Sequence, residues 1–332
     1  MILHRRSAFL LSRLLLVLRV SPMTMSKEAC SMADKFPSSI RDFGYVFNSE
    51  GKLRKIDPAT GEAGSEPFEF NVSSDPAYNQ KRYEALGELI TPYVYQLLSD
   101  DVGLKKLPVP DSQDPSTFIF ATEDALSNPD KLMVLIHGSG VVRAGQWARS
   151  LIINDCLDSG TQIPYIQRAI AQGYGVLVLN TNDNKRTING KVVTIKGSSD
   201  PLEHANWVWE NYVTKAKAKK IAVVAHSFGG VCAVELASAY FDDFKSRVFA
   251  VALTDSVHQM RGQRLKTEVK EYLYSVGRNW VSSGLPLDKV VEDYKKSDII
   301  SVSAGHRKHE MTSWSCIESL FKFLQNNYEP VS

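Results

Sequence analysis

Ser227 is the residue whose neighbours best prepare it for chemistry. It lies in Ile221-Ala222-Val223-Val224-Ala225-His226-Ser227-Phe228-Gly229-Gly230, an apolar β-branched run that passes at the serine into a helical pattern. Small residues flank it, Ala225 two positions before and Gly229 two positions after. This is the spacing of a nucleophile elbow, a turn so tight that bulky side chains at either flank would clash. A serine at a helix N-terminus also has backbone N–H groups and the positive dipole end beside any developing oxyanion. The Phe228 N–H is one expected donor. A second strand-to-glycine junction, Met133-Val134-Leu135-Ile136-His137-Gly138-Ser139-Gly140, supplies the other, from Ser139 or Gly140, because glycines let the backbone turn an N–H toward a carbonyl. No G-x-x-x-x-G-K-[ST] or full G-x-G-x-x-G is present, so a phosphate cradle is excluded here.

A serine nucleophile needs a carboxylate and a histidine, and both occur downstream in the order Ser, acid, His. Asp255 ends the strand-like run Val248–Leu253, although an aspartate there can also simply cap a turn. Three histidines compete for the base. His309 directly precedes the last helical stretch, the place the topology requires, whereas His306 lies in the same loop and His258 only three residues beyond Asp255. The roles that follow are Ser227 as nucleophile, His309 as base and Asp255 as its orienter, with no metal or organic cofactor called for.

The elements that must position these residues alternate from residue 117 onward. Short apolar runs at Phe118–Thr122, Leu132–Ile136, Gly175–Asn180, Ile221–Ala225, Val248–Leu253 and Ile299–Val302 are separated by helical stretches. Those are Ile163–Gln172, Pro201–Lys217, Gly230–Tyr240, Gln263–Ser275 and Ser313–Asn326. Strands apolar on both faces and joined by helices predict an α/β-hydrolase-like fold, a mostly parallel sheet with helices on both faces. Asp200, Pro201 and Glu203 form a helix start. Before this body, Gly44–Asp57 reads as a β-hairpin extension, Pro67–Val72 as a third strand, Ala77–Leu98 as a helix crossed by Gly87 and Pro92, and Leu107–Ser116 as a loop. Asn182–Ser199 reads as a polar surface excursion and Gln259–Asp298 as a lid over the site.

Composition narrows the classes. The 332 residues carry 39 Lys+Arg against 37 Asp+Glu, a net +2 that supplies no nucleic-acid or membrane footprint by itself. A 43% hydrophobic content with 14 Phe and 13 Tyr excludes a mainly disordered polymer. Cys30, Cys156, Cys232 and Cys316 form no C-x-x-C pair, so a reducing compartment is the default. The first 26 residues lack any acid and hold Arg5, Arg6, Arg13 and Arg19. Arg13 and Arg19 break the apolar stretch Ala8–Val20, so it is no transmembrane segment, and a signal peptide, an organelle presequence and an unstructured extension all fit. The expected division is a leader over 1–41, one domain over 42–328 and a tail over 329–332.

Several segments together resemble one family. Gln80–Glu88, Lys131–Ile166 (with Val141-Val142-Arg143-Ala144-Gly145-Gln146-Trp147-Ala148), Ala225–Gly230, Ala252–His258, Asn279–Ser283 and His309-Glu310-Met311-Thr312-Ser313-Trp314 are similar to the argonaute-binding-protein-two domain family, most of all to its animal cotranscriptional regulators. The resemblance spans roughly residues 42–326. It implies an α/β-hydrolase-like fold with Ser227 at the nucleophile position. It further implies an Argonaute protein and chromatin or splicing factors as partners, a role in RNA silencing and alternative splicing, and residence in nucleus and cytoplasm. Family members carry Asp before Arg where this chain has His306, which favours His309 as the histidine. The long charged insertion of the animal members is reduced here to Asn182–Ser199. Two readings of different class therefore stand, an active serine hydrolase and an adaptor that keeps the hydrolase shell.

Overall fold

The computed structural model describes residues 36–110, 114–260, 262–291 and 298–328. Residues 1–35 of the expected leader and the tail 329–332 lie outside the described residues. Twelve strands are formed there: β1 (Tyr45–Phe47), β2 (Leu53–Lys55), β3 (Lys105–Val109), β4 (Thr117–Ala121), β5 (Lys131–Ile136), β6 (Tyr174–Val178), β7 (Lys185–Ile188), β8 (Lys191–Thr194), β9 (Lys220–His226), β10 (Val248–Thr254), β11 (Gly277–Val281) and β12 (Ile300–Ser303). The helices are α1 (Pro76–Asp100), α2 (Arg149–Asn154), α3 (Leu157–Gly160), α4 (Ile163–Ala171), α5 (Pro201–Val208), α6 (Gly229–Ala239), α7 (Phe241–Arg247), α8 (Thr267–Val276), α9 (Thr312–Ser315) and α10 (Ile317–Asn327).

Eight strands make one sheet in the order β3-β4-β6-β5-β9-β10-β11-β12. From β6 to β12 every pairing is parallel, and β4 runs antiparallel to both β3 and β6. Because the strands are apolar on both faces, side chains alternate between two separate cores. Met133, Leu135, Val176, Val178, Ala222 and Val224 face the core built with α1, α4 and α10. Leu132, Val134, Ile136, Leu177, Ile221 and Val223 face the core built with α5, α6 and α8. The register pairs Ile136 with Ala225, Thr254 with His226 and with Trp280, and Val281 with Ser303, so five neighbouring strands end level. The loops leaving those ends share one edge of the sheet, where α/β folds place their chemistry.

Three expectations need correction and two are refined. Pro67–Val72 forms no strand; beyond the Lys55 N–H bond to Glu66 O, the chain turns to bury Phe68 against Tyr45 and Tyr83. The hairpin β1–β2 does form, but as its own two-stranded sheet. Leu107, Pro108 and Val109, expected to begin a loop, belong to the edge strand β3, and an edge is where a strand tolerates a residue such as Pro108, which lacks an N–H. Within Gln259–Asp298, read as a lid, the described residues include α8 and the buried sheet strand β11, which belong to the body of the fold. Within Asn182–Ser199 lies an exposed hairpin, β7–β8, turning on Asn189 and Gly190 at φ +49° and +74°.

The helix starts and interruptions have local causes. Asp200 Oδ1 accepts the N–H groups of Leu202 and Glu203, while Glu203 reaches back to Ser199 N–H rather than to the cap residue itself. In α1, Gly87 leaves room for the buried Arg149, whose Cζ lies only 2.6 Å from where a Cβ would stand, and Arg149 pairs with Glu88 at 3.1 Å.

Candidate active site

Ser227 follows the last residue of β9 and precedes α6 at φ +52°, a left-handed conformation that non-glycine residues adopt only when their surroundings impose it. Its N–H donates to Thr254 O at 3.0 Å, and its carbonyl accepts from Gly230 N at 3.1 Å and Val257 N at 3.2 Å. The turn is closed from below: a Cβ on Gly229 would stand 2.5 Å from Ile136 O and 2.7 Å from His137 O. Gly229→Ala is therefore expected to force β5 and α6 apart, lowering stability by about 2–4 kcal/mol in urea unfolding. An unchanged midpoint would contradict this packing.

Asp255, one residue past β10, also has a positive φ, +43°. Its Oδ1 accepts Ser282 N–H at 3.0 Å, from the residue just after β11. Its Oδ2 accepts from His309 Nδ1 at 2.7 Å. Burial pushes the Asp255 carboxyl up, but the His309 imidazole and the Ser282 N–H outweigh it and hold the group below the usual carboxylate value. The same bond to Asp255 raises His309, with burial opposing and the Glu310 charge assisting. His309 opens the 3₁₀ turn His309–Met311, where Thr312 Oγ1 donates to its carbonyl.

The rival histidines are engaged elsewhere. His258 bridges Ser256 Oγ at 2.7 Å and Asp298 Oδ1 at 2.9 Å, and His306 Nδ1 accepts the Lys308 N–H. His226, the residue before Ser227, has its ring centroid 4.6 Å from that of His309. Among the described residues no hydrogen bond links Ser227 Oγ to an imidazole, so the expected Ser–His bond is not formed here.

On the opposite side, a Cβ on Gly138 would meet Ser227 Cβ at 3.0 Å, which sets the loop Gly138–Gly140 against the serine. The Gly138 carbonyl accepts from His137 Nδ1 at 2.8 Å and Asn182 Nδ2 at 2.9 Å. Across a trans peptide, this turns the Ser139 N–H away from both donors. Among the described residues the N–H groups of Ser139, Gly140 and Phe228 have no acceptor. Asn182 also holds Val142 O at 3.1 Å. Reading Asn182 as the start of a surface excursion concealed this bracing role. The only available signal was its place just past a parallel strand's end.

Sheet order, level strand ends and a strained serine at the strand–helix turn define an α/β-hydrolase-like protein. The Arb2 domain family matches residues 36–287, and this chain belongs to that family. It is 45% identical to the human "Cotranscriptional regulator ARB2A" over 87% of this chain and 80% of that protein. It is 33% identical to the homologue from Dictyostelium discoideum, over 87% and 80% respectively. Among solved structures, a histone deacetylase from Saccharomyces cerevisiae shares the fold with a TM-score of 0.50, at 14% identity, covering 73% of this chain and 98% of that one. No helix among the described residues is long and apolar enough to cross a membrane.

Proposed function

We propose that this chain is a cotranscriptional regulator built on a working serine-hydrolase site, with Ser227 as nucleophile, His309 as general base and Asp255 as its orienter. One observation carries the catalytic part: the 2.7 Å His309–Asp255 bond beside a serine held at φ +52°. An adaptor would have no need of a strained serine, because such strain persists only where the surrounding structure enforces it.

In this reading Nδ1–H of His309 stays on Asp255, which leaves Nε2 free to take the Ser227 proton as Oγ adds to an ester or amide carbonyl. Hydrogen bonds of this kind tighten when substrate arrives, so closure of Ser227 Oγ onto Nε2 is the first step. The N–H groups of Phe228 and of Ser139 or Gly140 hold the oxyanion, each contributing about 3 kcal/mol of barrier lowering. Nε2 then returns the proton to the leaving group, and water hydrolyses the acyl-serine by the same route.

The purified full chain should label with a fluorophosphonate probe, and Ser227→Ala should reduce the signal to background. A folded protein that takes no label would leave the adaptor reading. Family membership and the relatives' names support the regulatory part, with an Argonaute protein and chromatin or splicing factors as partners and residence in nucleus and cytoplasm. Enrichment of purified Argonaute on immobilised protein over a bead control, undiminished by Ser227→Ala, is the expected result.

A further inference from the structure

We infer that His226 is a positioning residue for His309, a flat wall that keeps the His309 imidazole in line with Asp255. The inference rests on the hydrolase reading for its catalytic consequence but not for its geometry. His309 stands on a short surface turn with 41% of its side chain exposed, so one hydrogen bond to Asp255 leaves its ring free to swing. His226 is 3% exposed and fixed on several sides. Its Nδ1 lies 3.0 Å from Thr254 Oγ1 and 3.3 Å from Ser313 Oγ, and those hydroxyls bond each other at 2.7 Å. The Trp147 ring meets it edge-on at 6.1 Å, and the His309 ring covers it at 4.6 Å with a tilt of 38°.

This clamp ties together β9, which leads to the nucleophile, β10, which leads to the acid, and α9, which follows the base. Tyr165 extends it by donating to Ser313 O. The titratable groups around His226 are His309, Asp255 and His137, and those around His309 are Asp255, Glu310 and His226. Burial first, and the neighbouring His309 second, keep His226 uncharged. The wall therefore adds no repulsion when His309 accepts a proton.

Three variants separate the ring from its hydrogen bonds. His226→Phe keeps a flat ring and leaves Thr254 and Ser313 bonded to each other. His226→Ala removes the ring, and His226→Leu replaces it with a non-planar group should the alanine variant fail to fold. Two quantities are measured on the full chain: the fluorophosphonate labelling rate, and the His309 titration midpoint from its imidazole Cε1–H resonance. The alanine or leucine variant should label about tenfold to a hundredfold more slowly, the scale of a modest misplacement of a reacting group. Its His309 midpoint should fall toward the ordinary histidine value as the Asp255 bond loosens. His226→Phe should restore both to within about threefold and a few tenths of a pH unit. Equal behaviour of all variants, or a phenylalanine variant as impaired as leucine, would overturn the inference. If the wild type takes no label, the hydrolase reading fails, and the His309 midpoints alone decide the positioning role.

Discussion

Asp255→Asn is expected to slow fluorophosphonate labelling of Ser227 by about 10⁴-fold, with the protein still folded. The size follows from which oxygen does what. Ser282 N–H occupies Oδ1, so an asparagine keeps its carbonyl there and presents its NH₂ group where Oδ2 now faces His309 Nδ1. Nδ1 must then accept a hydrogen bond, and the ring proton moves to Nε2, the atom that has to take the serine proton. A base with its proton on the wrong nitrogen cannot work. The pH profile tests the same geometry. Asp255 raises His309, and only the neutral imidazole acts as base, so wild-type labelling should rise with pH through a midpoint above the ordinary histidine value of about 6.5. In Asp255→Asn that midpoint should fall to about 6.5 or below. Equal rates and equal midpoints in the two proteins would remove Asp255 from the mechanism.

The parts of this site that could be read in the sequence are those with a rigid local signature. Ser227 was legible because a nucleophile elbow constrains its own neighbours: Gly229 has to be glycine when Ile136 O lies 2.5 Å from any Cβ. The strands β5, β6, β9 and β10 were legible because burial on both faces leaves short, largely apolar runs. Strand β11 was not, because Gly277-Arg278-Asn279-Trp280-Val281 mixes glycine, a cation and an amide. Its exceptions are tertiary: Asn279 is fully buried and accepts Ser256 N–H, while Arg278 lies over the rings of Trp280 and Phe323. That strand delivers the Ser282 N–H to Asp255, so taking the segment for a lid also hid part of the site. Asn182 and His226 were missed for a similar reason. Their partners, Gly138 O and Thr254 Oγ1, are distant in the chain and meet them only because neighbouring strands end level.

Acid should destabilise this protein steeply between pH 7.5 and 5.5, before its carboxylates titrate. Three buried histidines, His137 just after β5, His226 at the end of β9 and His204 on α5, are held neutral: His137 is lowered to about 4, His204 to about 3 and His226 to about 3, in each case chiefly by burial. Hydrogen bonding gives the same direction. His204 Nε2 already accepts the Asn180 N–H while Nδ1 meets Ser198 Oγ, so a second ring proton would point at a donor. His137 Nε2 is buried with no partner among the described residues, so its protonation would bury an uncompensated N–H. These folded-state values lie below the unfolded one, so over this range the unfolded chain binds more protons and stability falls as pH falls. Each group contributes about 1.4 kcal/mol between pH 7.5 and 5.5, and the three together about 4 kcal/mol, a large share of a typical folding free energy. His309 works in the opposite sense. Its raised value gives stability that is complete below the unfolded value and is lost as pH rises, so on acidification it offsets part of the loss. Urea unfolding at pH 7.5, 6.5 and 5.5 measures the slope. His204→Gln, which can still accept from Asn180, should be less stable at pH 7.5 and should lose about 1.4 kcal/mol of the change between pH 7.5 and 5.5. A stability constant across that range would mean that these imidazoles take up protons without unfolding the sheet edge on which Ser227 stands.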